Sequence, residues 1–201
     1  MYQKKSTMLD AFCHAIESYW SVNSNDESKD YSKKAISGIL ENLDKYLAND
    51  EAANREMMTA AHYAGKAINI TQTTAGHAMS YKVTKLFGTP HGHAAAICVE
   101  KIWPYMLDHM DDCVDKRGKD YLADMFRELS VLFTGQSDAP CGLAPERFAG
   151  LMDRIGLKAP EGMTDEQLEI LVTSVNPVRL KNNPVGLDED AIRYLYEQIF
   201  R

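Results

Sequence analysis

A chain of 201 residues, 45% hydrophobic and 25% charged, has material for one well-filled core and the composition of an ordinary soluble globular domain. Its formal net charge of −7 argues against a broad nucleic-acid or anionic-membrane surface, though not against a local basic pocket. No apolar run reaches the roughly 18 residues of a membrane span, and the opening Met-Tyr-Gln-Lys-Lys lacks the apolar core of a signal peptide. A cytoplasmic protein is therefore expected, with Cys13, Cys98, Cys113 and Cys141 as reduced thiols, since none of them forms a CxxC pair.

Helical periodicity dominates the chain, and no alternating strand pattern competes with it. Leu9, Phe12, Ile16 and Trp20 recur at three- and four-residue steps, which predicts a first helix from Ser6 to about Tyr19 with Ser6 or Thr7 as N-cap. After the Ser21–Asn25 loop, Asp26 and Glu27 suit a helix N-terminus, and a second helix runs to about Leu47. A third, alanine-rich helix is expected from Glu51 to about Asn69, and a fourth from Gly76 to Phe87, ended by Gly88-Thr89-Pro90. Pro90 suits the first turn of the next helix, and Trp103-Pro104 is expected to interrupt or kink it. Residues Tyr121 to Phe133, Pro145 to Ile155, Thr164 to Ser174 and Asp188 to Phe200 read as further helices, with Asp188 capping the last. The fold class is thus all-α, a multi-helix array of eight or nine helices in one domain over 1–201, without repeats. No GxGxxG or P-loop is present, so no nucleotide-phosphate cradle is expected.

Two constellations carry chemistry. Asp10 and His14 lie four apart on the first helix and so project from one face, where a carboxylate and an imidazole can grip one metal ion or simply contact each other. His77 and His91 flank the Gly88–Pro90 breaker. A continuous helix would hold them about 21 Å apart, too far to share an ion through bonds of about 2 Å, whereas a chain reversal at the breaker could bring them together. Together the four residues offer three imidazoles and one carboxylate, a set suited to Fe(II), Zn(II), Co(II) or Ni(II) and poorly suited to Ca(II) or Mg(II). The histidines must be neutral to bind, so affinity is expected to fall below about pH 6.5. His93 either supports the site from behind the ligands or is simply exposed, the second reading being preferred, and His62 and His109 receive no role.

Asp10-Ala11-Phe12-Cys13-His14-Ala15-Ile16-Glu17 resembles the metal-binding signature of iron-containing (group III) alcohol dehydrogenases. His77 followed by Pro90-His91-Gly92 resembles that family's second signature in spacing and flanks, and Asn182-Asn183-Pro184 its C-terminal motif. The resemblance covers nearly the whole chain. It implies a divalent metal, Fe(II) first and Zn(II) as the alternative, held by Asp10, His14, His77 and His91. It also implies the helical C-terminal domain of the dehydroquinate synthase-like, iron alcohol dehydrogenase fold. The N-terminal α/β domain that binds NAD(P) in such enzymes is absent from this sequence, which reads as an isolated domain or gene fragment.

Many relatives carry a further histidine four residues after the first histidine of the second signature; here Tyr81 stands there, either in the substrate pocket or purely structural. Glu17 is expected to make a structural contact or to orient the site rather than bind metal. The stretch from Lys66 to Lys82 further resembles a phosphonoacetaldehyde reductase branch, in which Lys82 would suit a phosphonate anion. The expected function is metal-assisted hydride transfer between NAD(P) and a small alcohol or aldehyde, with the metal as Lewis acid on the substrate oxygen. No partner is expected among nucleic acids or membranes, and the oligomeric state is left open, a homodimer included. Three other readings stand beside it: a zinc enzyme of the glycerol dehydrogenase or dehydroquinate synthase type, a helical metal-dependent hydrolase, and a catalytically silent structural domain.

Overall fold

The opening helix, α1 (Tyr2–Trp20), is the axis of the fold. From Met8 to Trp20 every residue is buried except Asp10 and His14. Such all-round burial requires neighbours on all sides, and α1 packs against α2 (Asp26–Leu47), α3 (Glu51–Thr71), α5 (His91–Asp108) and α6 (Lys119–Thr134). This computed structural model describes residues 1–200 and contains, among them, no strand. The remaining helices are α4 (Ala75–Phe87), α7 (Leu143–Ile155), α8 (Asp165–Thr173), the single turn α9 (Pro177–Leu180) and α10 (Glu189–Phe200). The all-α expectation holds, with ten α-helices and a 3₁₀ turn at Met110–Asp112 among the described residues instead of eight or nine helices. No helix there is long and apolar enough to cross a membrane.

The core is aromatic at its centre. Phe12 of α1 stacks on Phe133 (ring centroids 5.3 Å) and leans on Phe148 (5.8 Å), while Trp20 meets Trp103 edge to face at 5.2 Å. Helices α2 and α3 form an antiparallel pair in which Gly38 lets Ala60 approach: a Cβ at Gly38 would lie 3.1 Å from the Ala60 Cβ. Buried Ala53, Ala60, Ala64 and Ala67 line the α3 side.

Helix starts match their sequence signals where the cap is local. Asn25 and Ser28 form a reciprocal capping box on α2, Thr164 and Gln167 another on α8, and the Asp188 carboxylate accepts from the Ala191 amide at the start of α10. One expected helix boundary shifts, and one expected interruption is not made. Helix α1 begins at Tyr2 rather than Ser6, because Ser6 lies within it and turns its hydroxyl to another helix. Helix α5 continues through Pro104; that residue faces solvent, where water can satisfy the carbonyl that loses its amide partner.

The C-terminal segment is tied back to the loops beside α1. Asn182 accepts from the Val22 amide through its carbonyl (3.0 Å), accepts from Asn23 Nδ2 through its side chain (3.0 Å) and donates to the Thr73 carbonyl (3.0 Å). Asn183 donates to the Val185 carbonyl at 2.8 Å. Arg117 closes the adjacent corner, donating to the Ser21 and Ser24 carbonyls and pairing with Asp115.

Phe12→Ala is expected to cost about 3–5 kcal/mol in equilibrium urea unfolding, while Met58→Ala, at 74% exposure, should stay within about 0.5 kcal/mol of wild type. A small effect at Phe12 would contradict its central place in the core.

Candidate metal centre

Helices α4 and α5 both lack a local side-chain cap at their N-termini, where Thr74 and Pro90 occupy the cap positions. Both take a cap from α1 instead. The Glu17 carboxylate accepts from the Thr74 amide (2.5 Å), the Thr74 hydroxyl (2.8 Å) and the His77 amide (3.0 Å), which satisfies free donors in the first turn of α4. Ser6 Oγ accepts from the His93 amide at 3.1 Å, in the first turn of α5. A negative charge at a helix N-terminus also meets the positive end of the helix dipole.

A glycine occupies the second position of each helix for a steric reason. A Cβ at Gly76 would lie 2.4 Å from Glu17 Oε1 and 2.5 Å from Val99 Cγ2. At Gly92 it would lie 2.0 Å from the Ser6 carbonyl oxygen and 2.7 Å from the Asp10 Cβ. Between the two helices, Gly88 ends α4 in the left-handed conformation (φ 65°), and the chain reverses through Thr89 and Pro90. The reversal removes the separation a continuous helix would impose on His77 and His91.

Both histidines thereby face the Asp10–His14 window on α1. His77 Nε2 approaches Asp10 Oδ1 to 3.5 Å, and His91 Nε2 approaches the same oxygen to 3.7 Å. Ligand atoms on a tetrahedral ion with bonds of about 2.1 Å stand roughly 3.4 Å apart. One nitrogen or oxygen from each of Asp10, His77 and His91 falls within a 4.8 Å cluster. His14 lies beside this trio rather than in it: its ring stacks on His77 (centroids 4.4 Å, interplanar 14°), and its Nδ1 is 3.9 Å from Asp10 Oδ2.

Two polar atoms at the centre are buried without a hydrogen-bond partner, Asp10 Oδ1 and His77 Nε2. An unpaired buried polar atom costs free energy, and here two point at one spot. The donor set fits a borderline divalent cation, with nitrogen and carboxylate oxygen converging. His77 is prepared for the role from behind, because its Nδ1 lies 2.7 Å from Glu17 Oε1. An Nδ1–H donated to Glu17 leaves Nε2 as the lone-pair nitrogen facing Asp10.

The charges are coupled. Burial works to lower the His77 pKa, but the Glu17 and Asp10 carboxylates outweigh it and hold the imidazolium to about 9. Burial would raise Glu17, and His77 together with the Thr74 donors keeps it below its ordinary value. Burial and the neighbouring His77 charge push His14 down to about 4 and His91 in the same direction. The proton on His77 is therefore the one a metal must displace, so metal competition extends well above the pH 6.5 that unperturbed histidines imply.

Tyr81, one turn beyond His77 on α4, is exposed and stacks its ring on His91 (centroids 5.2 Å, interplanar 19°). Lys82 follows about 140° round the helix from His77 and makes no hydrogen bond or ion pair among the described residues. His93 is buried rather than exposed, with its Nδ1 2.9 Å from the Tyr2 hydroxyl. The four cysteines are free thiols, Cys13 and Cys98 buried.

Because the folded pKa of His77 lies above 6.5, its stabilising effect on the metal-free chain is complete below pH 6.5 and is lost as pH rises through about 9. His14 and His91 are displaced downward and add only a small opposing rise just above pH 6.5, where their unfolded forms lose the last of their protons. Urea melts of chelator-treated protein should show stability falling between pH 6.5 and 9, a slope that Glu17→Gln largely removes. Glu17→Gln should also cost about 3–5 kcal/mol at pH 6.5, by stripping the partner from a buried charge. A wild-type profile that is flat over this interval would contradict the coupling.

The sequence matches the Fe-containing alcohol dehydrogenase family, C-terminal, over residues 4–200. It is 30% identical over 194 residues to the phosphonoacetaldehyde reductase of Streptomyces viridochromogenes, an alignment covering 92% of this chain and 47% of that protein. It is also 30% identical over 203 residues to long-chain-alcohol dehydrogenase 1 of Geobacillus thermodenitrificans, covering 97% and 49%. Among solved structures, the iron-containing alcohol dehydrogenase of Thermotoga maritima superposes with a TM-score of 0.75 at 26% identity, over 98% of this chain and 49% of that one. The chain thus spans about half the length of the relatives it matches. It belongs to the iron-containing alcohol dehydrogenase family and corresponds to that family's C-terminal domain.

Proposed function

We propose that this domain is the metal-binding half of an NAD(P)-dependent alcohol dehydrogenase or aldehyde reductase, with Asp10, His14, His77 and His91 as the ligands. The observation that carries the reading is the convergence of Asp10 Oδ1, His77 Nε2 and His91 Nε2 on one point, two of them buried without partners. His14 is assigned as the fourth ligand on its place beside Asp10, a role that requires its ring to leave the His77 stack. Iron(II) is the expected ion, and zinc(II) suits the same donors.

When bound, such an ion supplies a Lewis acid for an alcohol or aldehyde oxygen. The chain's own residues prepare the place for it. Glu17 fixes the His77 tautomer and ring orientation, so that Nε2 is presented without rearrangement. Asp10 contributes the negative charge that three neutral imidazoles lack. His91 and Tyr81 form the exposed side of the centre, by which a substrate would approach. NAD(P) is assigned to the remainder of a longer protein as the hydride partner, matching the half-length correspondence with the dehydrogenase relatives. The substrate is read as a small alcohol or aldehyde, and relatives named for phosphonoacetaldehyde and for long-chain alcohols bracket the range.

Metal analysis of anaerobically purified protein tests the assignment. Close to one equivalent of iron or zinc per chain is expected, lost in His77→Ala and His91→Ala and weakened in His14→Ala. Residues 1–201 alone should bind metal without dehydrogenase turnover. Undiminished metal in both His77→Ala and His91→Ala would overturn the ligand set, and robust turnover by the chain alone would overturn the division between two domains.

A further inference from the structure

Arg179 is a guanidinium beside the metal centre that no carboxylate among the described residues answers. It lies on α9, partly buried, and donates from Nη1 to the Thr73 hydroxyl at 2.7 Å. Its guanidinium carbon stands 5.2 Å from the centroid of the Tyr81 ring. No ion pair among the described residues includes it. Arg117, the other arginine packed among loops near α1, has its charge taken up by Asp115 and its remaining donors by the Ser21 and Ser24 carbonyls. Arginine carries five N–H donors, and Arg179 commits a single one to a neutral hydroxyl.

Its position relates it to the centre. Tyr81 is the shared neighbour: its ring centroid stands 5.2 Å from the Arg179 guanidinium carbon and 5.2 Å from the His91 ring centroid. The guanidinium is therefore within about 10 Å of the His91 ring. A short molecule with one end at the metal centre can present its other end to Arg179. Thr73 immediately precedes the cap of α4, so the tether that holds Arg179 is continuous with the segment that holds His77. A fixed, uncompensated guanidinium in that position favours an anion, and its planar fork matches a group offering two oxygens.

We propose that Arg179 is the specificity-determining residue of this site, selecting a short alcohol or aldehyde whose far end carries a carboxylate, phosphonate or sulfonate. The inference rests on the metal-centre reading above and adds the substrate class to it. It also moves the anion contact from Lys82, which the sequence suggests, to a residue α9 brings in from the C-terminal segment.

The test titrates the zinc-loaded chain with 2-hydroxyethylphosphonate and with 1,3-propanediol, read by calorimetry, in wild type, Arg179→Gln, Arg179→Met, Arg179→Lys and Lys82→Ala. Phosphonate affinity should fall at least about tenfold in Arg179→Gln and Arg179→Met, recover in part in Arg179→Lys and remain at the wild-type value in Lys82→Ala. Propanediol affinity and zinc content should be equal in all five proteins. Thermal melting of each variant separates loss of fold from loss of the anion site, and Arg179→Met keeps the aliphatic stem over Tyr81. Absence of saturable phosphonate binding to wild type, affinities of the charge-free variants within about twofold of wild type, or a loss that follows Lys82 would overturn the assignment. Failure of the wild-type chain to take up zinc would instead contradict the metal reading. The same titration on metal-free protein then decides Arg179 by itself, with the same fall expected and equal affinities overturning it.

Discussion

The buried carboxylate of Glu17 organises the site. It sits on the central helix, where removal from water alone would favour its neutral form, and it stays ionised because the His77 ring and three further donors from the start of α4 converge on it. The same contacts dock α4 onto α1, end-cap that helix and set the orientation of the imidazole. Ser6 does the lesser, uncharged version of this for α5. A helix that lends caps to two others fixes where their first turns lie, and the first turns carry His77 and His91.

The centre is consequently a product of backbone placement more than of side-chain reach. Gly76 and Gly92 allow contacts that any Cβ would block, and Gly88 turns the chain between them. From Met8 to Trp20, Asp10 and His14 are the two positions at which α1 reaches the surface. A polar pair there avoids the cost of full burial and leaves Asp10 Oδ1 unsatisfied and facing His77 and His91. Surrounding elements hold this arrangement from outside: Asn182 and Arg179 bind the segment that leads into α4, and the Trp20 indole donates to the Thr74 hydroxyl at 2.9 Å.

Much of this is legible in the sequence because it is local. The spacing of Asp10 and His14, the breaker between His77 and His91, and the periodic apolar stripes each follow from helical geometry over a few residues. Capping boxes at Asn25 and Thr164 are equally local. What sequence reasoning misses is tertiary. Ser6 looks like the cap of its own helix but caps another, 87 residues away in the chain. His93 looks like a spare histidine beside the motif and is instead enclosed against Tyr2. Arg179 gives no signal by spacing, since only the fold of the C-terminal segment brings it to Tyr81. The closest hint is its position just before Asn182-Asn183-Pro184, whose hydrogen bonds anchor that segment.

X-ray absorption spectroscopy on the zinc-loaded chain tests the central claim most directly, because it reads the ligands without turnover or partner domain. The account predicts nitrogen and oxygen neighbours at about 2.0–2.2 Å with scattering from imidazole rings, and one ring fewer in His91→Ala. Oxygen-only coordination without imidazole scattering, the same in wild type and variant, would contradict it.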